Sequence, residues 1–493
     1  MPRTAPPALD LPLAPDPGPG PTYERLASRL RDLVLTGHLA SGLRLPASRV
    51  LARDVGVSRT TVEEAYARLL DEGFITRRQG SGTFVAEIDL DRPTPLPASG
   101  AAPQQARPLL SEWAEQWVEP ADAPWVLCTS PCRADEEAVP IDTWRRTAAR
   151  VLRDQGDALL APPPPAGLPD LRHAIADHLA SFRGLRCTAA QVVVTTGTQQ
   201  ALAVLGQVVL NAGDAVWMEE PGYVFARAAL ASVGAEVVSV PVDREGLDVE
   251  AGMHRAPHAR LAYVTPSHQF PTGAVMSVDR RLALLRWAEA TGAWIVEDDY
   301  DSEYRHDGRP LAPLQSIDAS GRVLYVGTFN KSLFPGLRVG YAVVPEALVG
   351  PLAQAVRLLG GGPPLITQAT VAAIVADGTL ASHLRRTRRL YRQRRDALVE
   401  AVEAAAIPGV DLGPTEAGLH VCLWLPPGLD DAEAAQVVAT DGIGATALST
   451  HSAHPATLAP RGGLVVGYGR ADPPALRAAI ERLARVCAGQ APA

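Results

Sequence analysis

Gly327-Thr328-Phe329-Asn330-Lys331-Ser332-Leu333-Phe334-Pro335-Gly336-Leu337-Arg338-Val339-Gly340 contains the only lysine in the chain; every other basic position among the 46 Lys and Arg residues is arginine. Arginine stays protonated under all ordinary conditions, whereas a lysine can give up its proton and attack a carbonyl to form a Schiff base. The stretch follows the apolar, strand-like run Val323-Leu324-Tyr325-Val326, so Lys331 falls just past the end of a strand. A hydroxyl at Thr328 and a guanidinium at Arg338 flank it in the manner of a phosphate clamp around an aldehyde-reactive amine, which points to pyridoxal phosphate. A solvated loop lysine is the ordinary alternative, but it gives no reason for the residue to be unique.

Working outward, the pattern from about Trp113 alternates apolar runs with amphipathic segments, which predicts an α/β domain over 113–490 built on a mostly parallel sheet. Val192-Val193-Val194-Thr195 leads through Gly197-Thr198-Gln199 into a helix start, where free backbone N–H groups favour a phosphate. Ala215 to Glu220 reads as a second strand, and the turn after it presents Tyr223 as either a ring-contacting or a packing aromatic. Trp294-Ile295-Val296 runs into Glu297-Asp298-Asp299-Tyr300, which puts acids at the carboxyl end of a strand, where open α/β sheets bind ligands. Such a carboxylate can pair with a protonated pyridine nitrogen; helix capping or salt bridging are its other uses.

Residues 22–87 have a different pattern. Leu26, Leu30, Leu33 and Val34 keep helical spacing, a second helix from Ala47 stops at Gly56, and Ser58 caps a third that opens Arg59-Thr60-Thr61. Gly73 to Val85 reads as two strands around a basic glycine turn. Small hydroxyl residues and arginine at the start of a second helix are what a helix-turn-helix presents to DNA. From the helical pattern alone a three-helix oligomerisation module fits equally well. Ten arginines face eight acids in this stretch; what matters is that Arg49, Arg59, Arg77 and Arg78 fall on helix starts and wing.

Composition bounds the rest. At 493 residues and 47% hydrophobic content the chain holds more than one domain, and a net charge of −8 gives no whole-chain bias toward nucleic acid. Five scattered cysteines with no Cys-x-x-Cys pair predict reduced thiols in a cytoplasmic protein and no metal site. Residues 1–21 read as a disordered tail and 88–112 as a Pro-rich spacer. No apolar run reaches bilayer length, so no membrane association is expected.

The N-terminal motifs Gly-Val-Ser-Arg-Thr-Thr-Val and Gly-Ser-Gly-Thr-Phe-Val resemble the GntR-type winged helix. The motifs Ser-His-Gln-Phe-Pro-Thr-Gly, Glu-Asp-Asp-Tyr-Asp-Ser-Glu-Tyr and Gly-Thr-Phe-Asn-Lys-Ser-Leu resemble fold-type I aminotransferases. Together, from Tyr23 to a helix ending near Val486, the chain resembles the MocR (GabR-like) regulators. That resemblance implies that Arg49, Ser58, Arg59, Thr60, Thr61, Arg78 and Gly80 face double-stranded DNA. It implies that Lys331 carries the cofactor, Asp298 meets the pyridine nitrogen and Tyr300 the ring oxygen. Tyr223 would stack on the ring, while Gly197, Thr198, Gln199, Thr328 and Arg338 hold the phosphate. It also implies a homodimer. Two departures stand out: Asn330 replaces the usual serine before the lysine, and Val465, in Leu464-Val465-Val466-Gly467-Tyr468, replaces the arginine that grips a substrate carboxylate. Arg227, Arg461 or Arg470 would have to take over that grip. The expectation is a regulator that senses pyridoxal phosphate or an amine effector through a Schiff base at Lys331, rather than a turnover enzyme; an active aminotransferase with an accessory winged helix is the alternative.

Overall fold

The computed structural model describes residues 19–88, 110–117, 131–308, 311–439, 443–454 and 461–489. Most of the predicted tail, most of the predicted spacer and Cys128 lie outside these. The chain divides into two compact units, Met1–Leu109 and Leu110–Ala493.

In the first unit, α1 (Thr22–Leu35), α2 (Ser48–Val55) and α3 (Arg59–Asp71) are followed by β1 (Ile75–Arg78) and β2 (Gly82–Val85). Leu26, Leu30, Leu33 and Val34 of α1 are buried against Leu51 of α2 and against Val62, Ala65, Tyr66 and Leu69 of α3, so the 3.6-residue period becomes one shared core. Gly56 ends α2 in a left-handed conformation, φ 70°, which a β-carbon would resist. β1 and β2 pair antiparallel with Arg78 opposite Gly82, and Gly80 at the tip has φ 74°.

The second unit is built on an eight-stranded sheet. In chain order its strands are β3 (Val192–Thr195), β4 (Ala215–Glu220), β5 (Glu236–Asp243), β6 (Gly246–Leu247), β7 (Leu261–Val264), β8 (Trp294–Asp299), β9 (Val323–Thr328) and β10 (Gly340–Val343). The spatial order is β3-β10-β9-β8-β7-β4-β5-β6. β9, β8, β7, β4 and β5 run parallel, as the apolar runs predict, while β10 lies antiparallel between β3 and β9 and β6 turns back on β5. Both faces are covered. Along β4, Val216 and Met218 point into one apolar cluster and Trp217 into another, the period-two alternation of a strand buried on both sides. Trp217 stacks on Trp287 with ring centroids 3.9 Å apart and donates to the Ala256 carbonyl at 2.9 Å.

A second, antiparallel sheet has β11 (Asp411–Leu412), β12 (His420–Trp424), β13 (Gly444–Ala447) and β14 (Gly463–Gly467) in the order β11-β12-β14-β13. Among the described residues no single helix is long and apolar enough to cross a membrane.

Candidate functional site

The three acids closing β8 are all buried, and the strand's alternation sends them to different work. Glu297 accepts the backbone N–H groups of Leu314 and Gln315 at 2.8 and 2.9 Å and so fixes the start of a short helix. Asp299 pairs with the buried Arg183 at 2.8 Å and accepts from the Tyr325 hydroxyl at 2.5 Å. Asp298, on the other face, accepts from the Tyr263 hydroxyl at 2.7 Å through Oδ2, and its buried Oδ1 has no partner. Burial pushes the Asp298 carboxyl up to about 7, against the Tyr263 bond, which acts to lower it. A buried acceptor with no donor costs about 1–3 kcal/mol. The protonated nitrogen of a pyridine ring is a donor of the right kind for that oxygen.

Lys331 lies three residues beyond the end of β9. Its Nζ donates to the Cys132 carbonyl at 2.7 Å, and its own carbonyl accepts from the Tyr304 hydroxyl at 3.2 Å. The amine is thus held by a neutral oxygen, with no carboxylate bound to it among the described residues.

The elements proposed for the phosphate converge because β10 lies between β3 and β9. Gly340 stands opposite both Thr195 and Thr328 in the ladder. A β-carbon on Gly340 would lie 2.7 Å from the Gly197 α-carbon, so only glycine allows this approach. Gly197, with φ 122°, is the N-cap of the helix Thr198–Val209. A β-carbon there would sit 3.4 Å from Asn330 Nδ2 and 4.0 Å from Arg338 Cζ, which puts both side chains at that helix's N-terminus. Arg338 adopts a left-handed backbone conformation, φ 53°, which costs a non-glycine residue about 1–2 kcal/mol. Its guanidinium has no hydrogen-bond or ion-pair partner among the described residues, and the buried Oδ1 of Asn330 is unpaired. Thr328 Oγ1 accepts the Asn330 N–H at 3.2 Å. This cradle of a cation, a hydroxyl and a helix N-terminus fits an anion.

Two tyrosines named from the sequence flank the site differently. Gln199 Nε2 approaches the Tyr223 hydroxyl at 3.4 Å, and the Tyr223 ring meets Phe270 edge-on at 5.8 Å. The Tyr300 hydroxyl donates to the His268 carbonyl at 3.0 Å and lies 3.1 Å from its Nδ1, so here it serves His268. Val465 of β14 belongs to an apolar cluster with Cys132, Phe270, Cys422 and Leu448, against which Tyr223, Tyr300 and Trp424 pack.

The three arginines considered as carboxylate partners are already engaged. Arg227 is buried and bonded to Glu220 at 2.8 Å and Ser239 at 2.9 Å; Arg470 pairs with Glu136 at 3.0 Å; Arg461 pairs with Asp411 at 2.5 Å.

Sequence reasoning missed several partners. Tyr263, which donates to Asp298, gave no signal beyond being an aromatic in an apolar strand. The contact between Cys132 and a histidine gave no signal either: Cys132 Sγ lies 3.1 Å from His420 Nδ1, across 288 residues of sequence. The His268 and His420 rings are 4.8 Å apart, and His268 bonds Asp301 at 3.0 Å. Ligand-type atoms of His268, Asp301 and His420 come within 4.8 Å of one another; His420 also faces the Pro271 carbonyl at 3.2 Å. Burial above all holds His420 well below the usual imidazole range.

In the first unit Ser58 Oγ accepts the Thr61 N–H at 3.0 Å and caps α3. Arg49, Arg59, Thr60, Arg78 and Gly80 are exposed and Thr61 is half-buried. Arg78 lies over the Phe84 ring at 4.9 Å. Glu72 and Glu24 are taken up by Arg31 and Arg68, whereas Glu63 pairs with Arg59 at 2.7 Å.

Comparison with known proteins agrees with this two-part architecture. The aminotransferase class I and II family matches residues 125–458, and the bacterial regulatory proteins, gntR family, match residues 22–85. The probable rhizopine catabolism regulatory protein MocR of Rhizobium meliloti is 38% identical over 465 residues, spanning 94% of this chain and 93% of that protein. The HTH-type pyridoxine biosynthesis transcriptional regulator PdxR of Corynebacterium glutamicum is 34% identical, spanning 95% and 96%. A solved Pyrococcus horikoshii kynurenine aminotransferase, in complex with PMP, superposes with a TM-score of 0.68 at 25% identity, covering 78% of this chain and 96% of that one. A gntR winged helix joined to a fold-type I aminotransferase unit defines the class. The chain belongs to the MocR-type GntR transcription regulators, and the gntR domain implies DNA binding.

Proposed function

We propose that this regulator binds pyridoxal phosphate covalently at Lys331 and that cofactor occupancy, or its exchange for an amine effector, sets how the winged helix engages DNA. The observation that carries the reading is the buried, unpaired Oδ1 of Asp298, an acceptor whose missing donor a pyridine nitrogen would supply. Asp298 would hold that nitrogen protonated, Tyr263 would keep the carboxylate oriented, and Thr328, Arg338 and the turn at Gly197, Thr198 and Gln199 would hold the phosphate. Tyr223 would pack on the ring, with Tyr300 beside it. When bound, the cofactor supplies an electrophilic carbon and an electron sink.

The engaged Arg227, Arg461 and Arg470 and the apolar wall at Val465 favour the cofactor itself, or an amine without a carboxylate, as the signal, and disfavour turnover of an amino acid. A switch requires the ligand to bind two states unequally. We further propose a cytoplasmic homodimer. The test is DNA binding to the protein's own upstream region, titrated with and without pyridoxal phosphate beside the cofactor's visible absorbance. Affinity or footprint changing in step with absorbance supports the reading; amino-group transfer to a keto acid with no specific DNA binding overturns it.

A further inference from the structure

Glu63 is an acid on α3, the helix that opens with the exposed Arg59 and Thr60 and the half-buried Thr61. It lies one turn after Arg59, so the two side chains share a helix face. Arg59 donates to Glu63 Oε1 through Nε at 2.7 Å, and Ser48 of α2 donates to the same oxygen at 3.2 Å. Two consequences follow from which atoms are used. Among the described residues neither terminal nitrogen of Arg59 has a partner, which leaves the planar fork that fits guanine O6 and N7. Glu63 Oε2 also stays free, as an oriented acceptor with no partner among the described residues. The Arg59 bond holds the Glu63 carboxyl below its usual range, and the charge of Arg77, on the wing, acts the same way.

The pair is not placed for the benefit of the helix. A cation in the first turn opposes the helix dipole, and acid-before-base is the favoured order for a stabilising pair, the reverse of this one. Nor does it suit a phosphate, since the Glu63 carboxylate would face like charge. A cytosine amino group in the major groove is a donor with no such penalty.

We infer that Arg59 and Glu63 act as one base-reading unit, the Arg59 fork on a guanine and Glu63 Oε2 on the amino group of a neighbouring cytosine. The inference rests on DNA binding by the winged helix and assigns Glu63 as a specificity residue. The full chain would be offered a pool of duplexes with randomised sequence, and single-base variants of the selected site would then be compared in competition. The expected result is a cytosine preference of about tenfold at one position in each half-site. Glu63→Ala removes that preference and leaves other positions unchanged. Glu63→Gln moves it toward adenine, because a carboxamide offers both a donor and an acceptor. Arg59→Ala loses discrimination at the guanine. The inference is overturned if Glu63→Ala and Glu63→Gln keep the wild-type preference everywhere, or if they strengthen binding to all sequences alike. Failure of the wild-type chain to select any sequence overturns the DNA-binding reading itself, which separates the two failures. Thermal melting of each variant shows that the fold is intact.

Discussion

The carboxyl end of β8 and the start of α3 both carry acids, in opposite surroundings. Asp298 is buried, its charge disfavoured, with one oxygen bonded and one left open; Glu63 is about half exposed, its charge favoured by Arg59. In each place a carboxylate has one oxygen fixed by the protein and the other unpaired. Burial makes the open oxygen of Asp298 a demand that a ligand must meet, whereas water already satisfies the open oxygen of Glu63. The first should therefore govern affinity and stability, the second selectivity alone.

The comparison can be broken most sharply at Lys331. Lys331→Ala is expected to abolish the cofactor's visible absorbance while thermal melting shows a folded protein; absorbance that persists unchanged removes the site assignment. Asp298→Asn should weaken cofactor binding roughly ten- to hundredfold, the worth of a hydrogen bond to a charged group, measured by absorbance titration.

The same variant should act in the opposite direction on the cofactor-free protein. Asp298 ionises from its ordinary value of 3.8 in the unfolded chain but only at about 7 when folded. Its contribution to stability is therefore fully present below the unfolded value and is lost as pH rises through the folded one. Glu219 and Glu297, also raised to about 7 by burial, follow the same sign. Asp298→Asn should thus raise the melting temperature of cofactor-free protein at pH 8 by at least about 2 °C and leave it unchanged near pH 3.5. A loss at pH 8 would mean the open oxygen is not a cost.

In the first unit the effects should be smaller. Ser58→Ala removes the α3 cap and should cost about 1 kcal/mol in denaturant unfolding. Glu63→Ala should leave the denaturant midpoint nearly unchanged, as loss of an exposed ion pair does. A larger loss there would make the pair structural and count against its reading role.

Local chemistry was readable in the sequence, and long-range partnership was not. A unique lysine after an apolar strand, acids closing another strand and Ser58 before Arg-Thr-Thr are each written within a few residues. Period-two alternation separates Asp298 from Glu297 and Asp299 but does not say which face meets a ligand. Tyr263 reaches Asp298 across a ladder, and Cys132 reaches Lys331 and His420 from far upstream, so their roles depend on strand order. The engagement of Arg227 with Glu220 and Ser239 was equally hidden, because an arginine's freedom depends on what surrounds it in space.

β10 is the last strand of the large sheet to leave the ribosome, yet it lies inside the sheet, joining β3 to β9. Until it inserts, Gly197 and Thr328 belong to separate pieces of chain, and Arg338, just before β10, has no fixed place. A nascent or misfolded chain can therefore contain Lys331 and still lack the cradle around it. On the proposed reading, capture of the cofactor would certify that the sheet has closed, so the signal would also mark which molecules are finished.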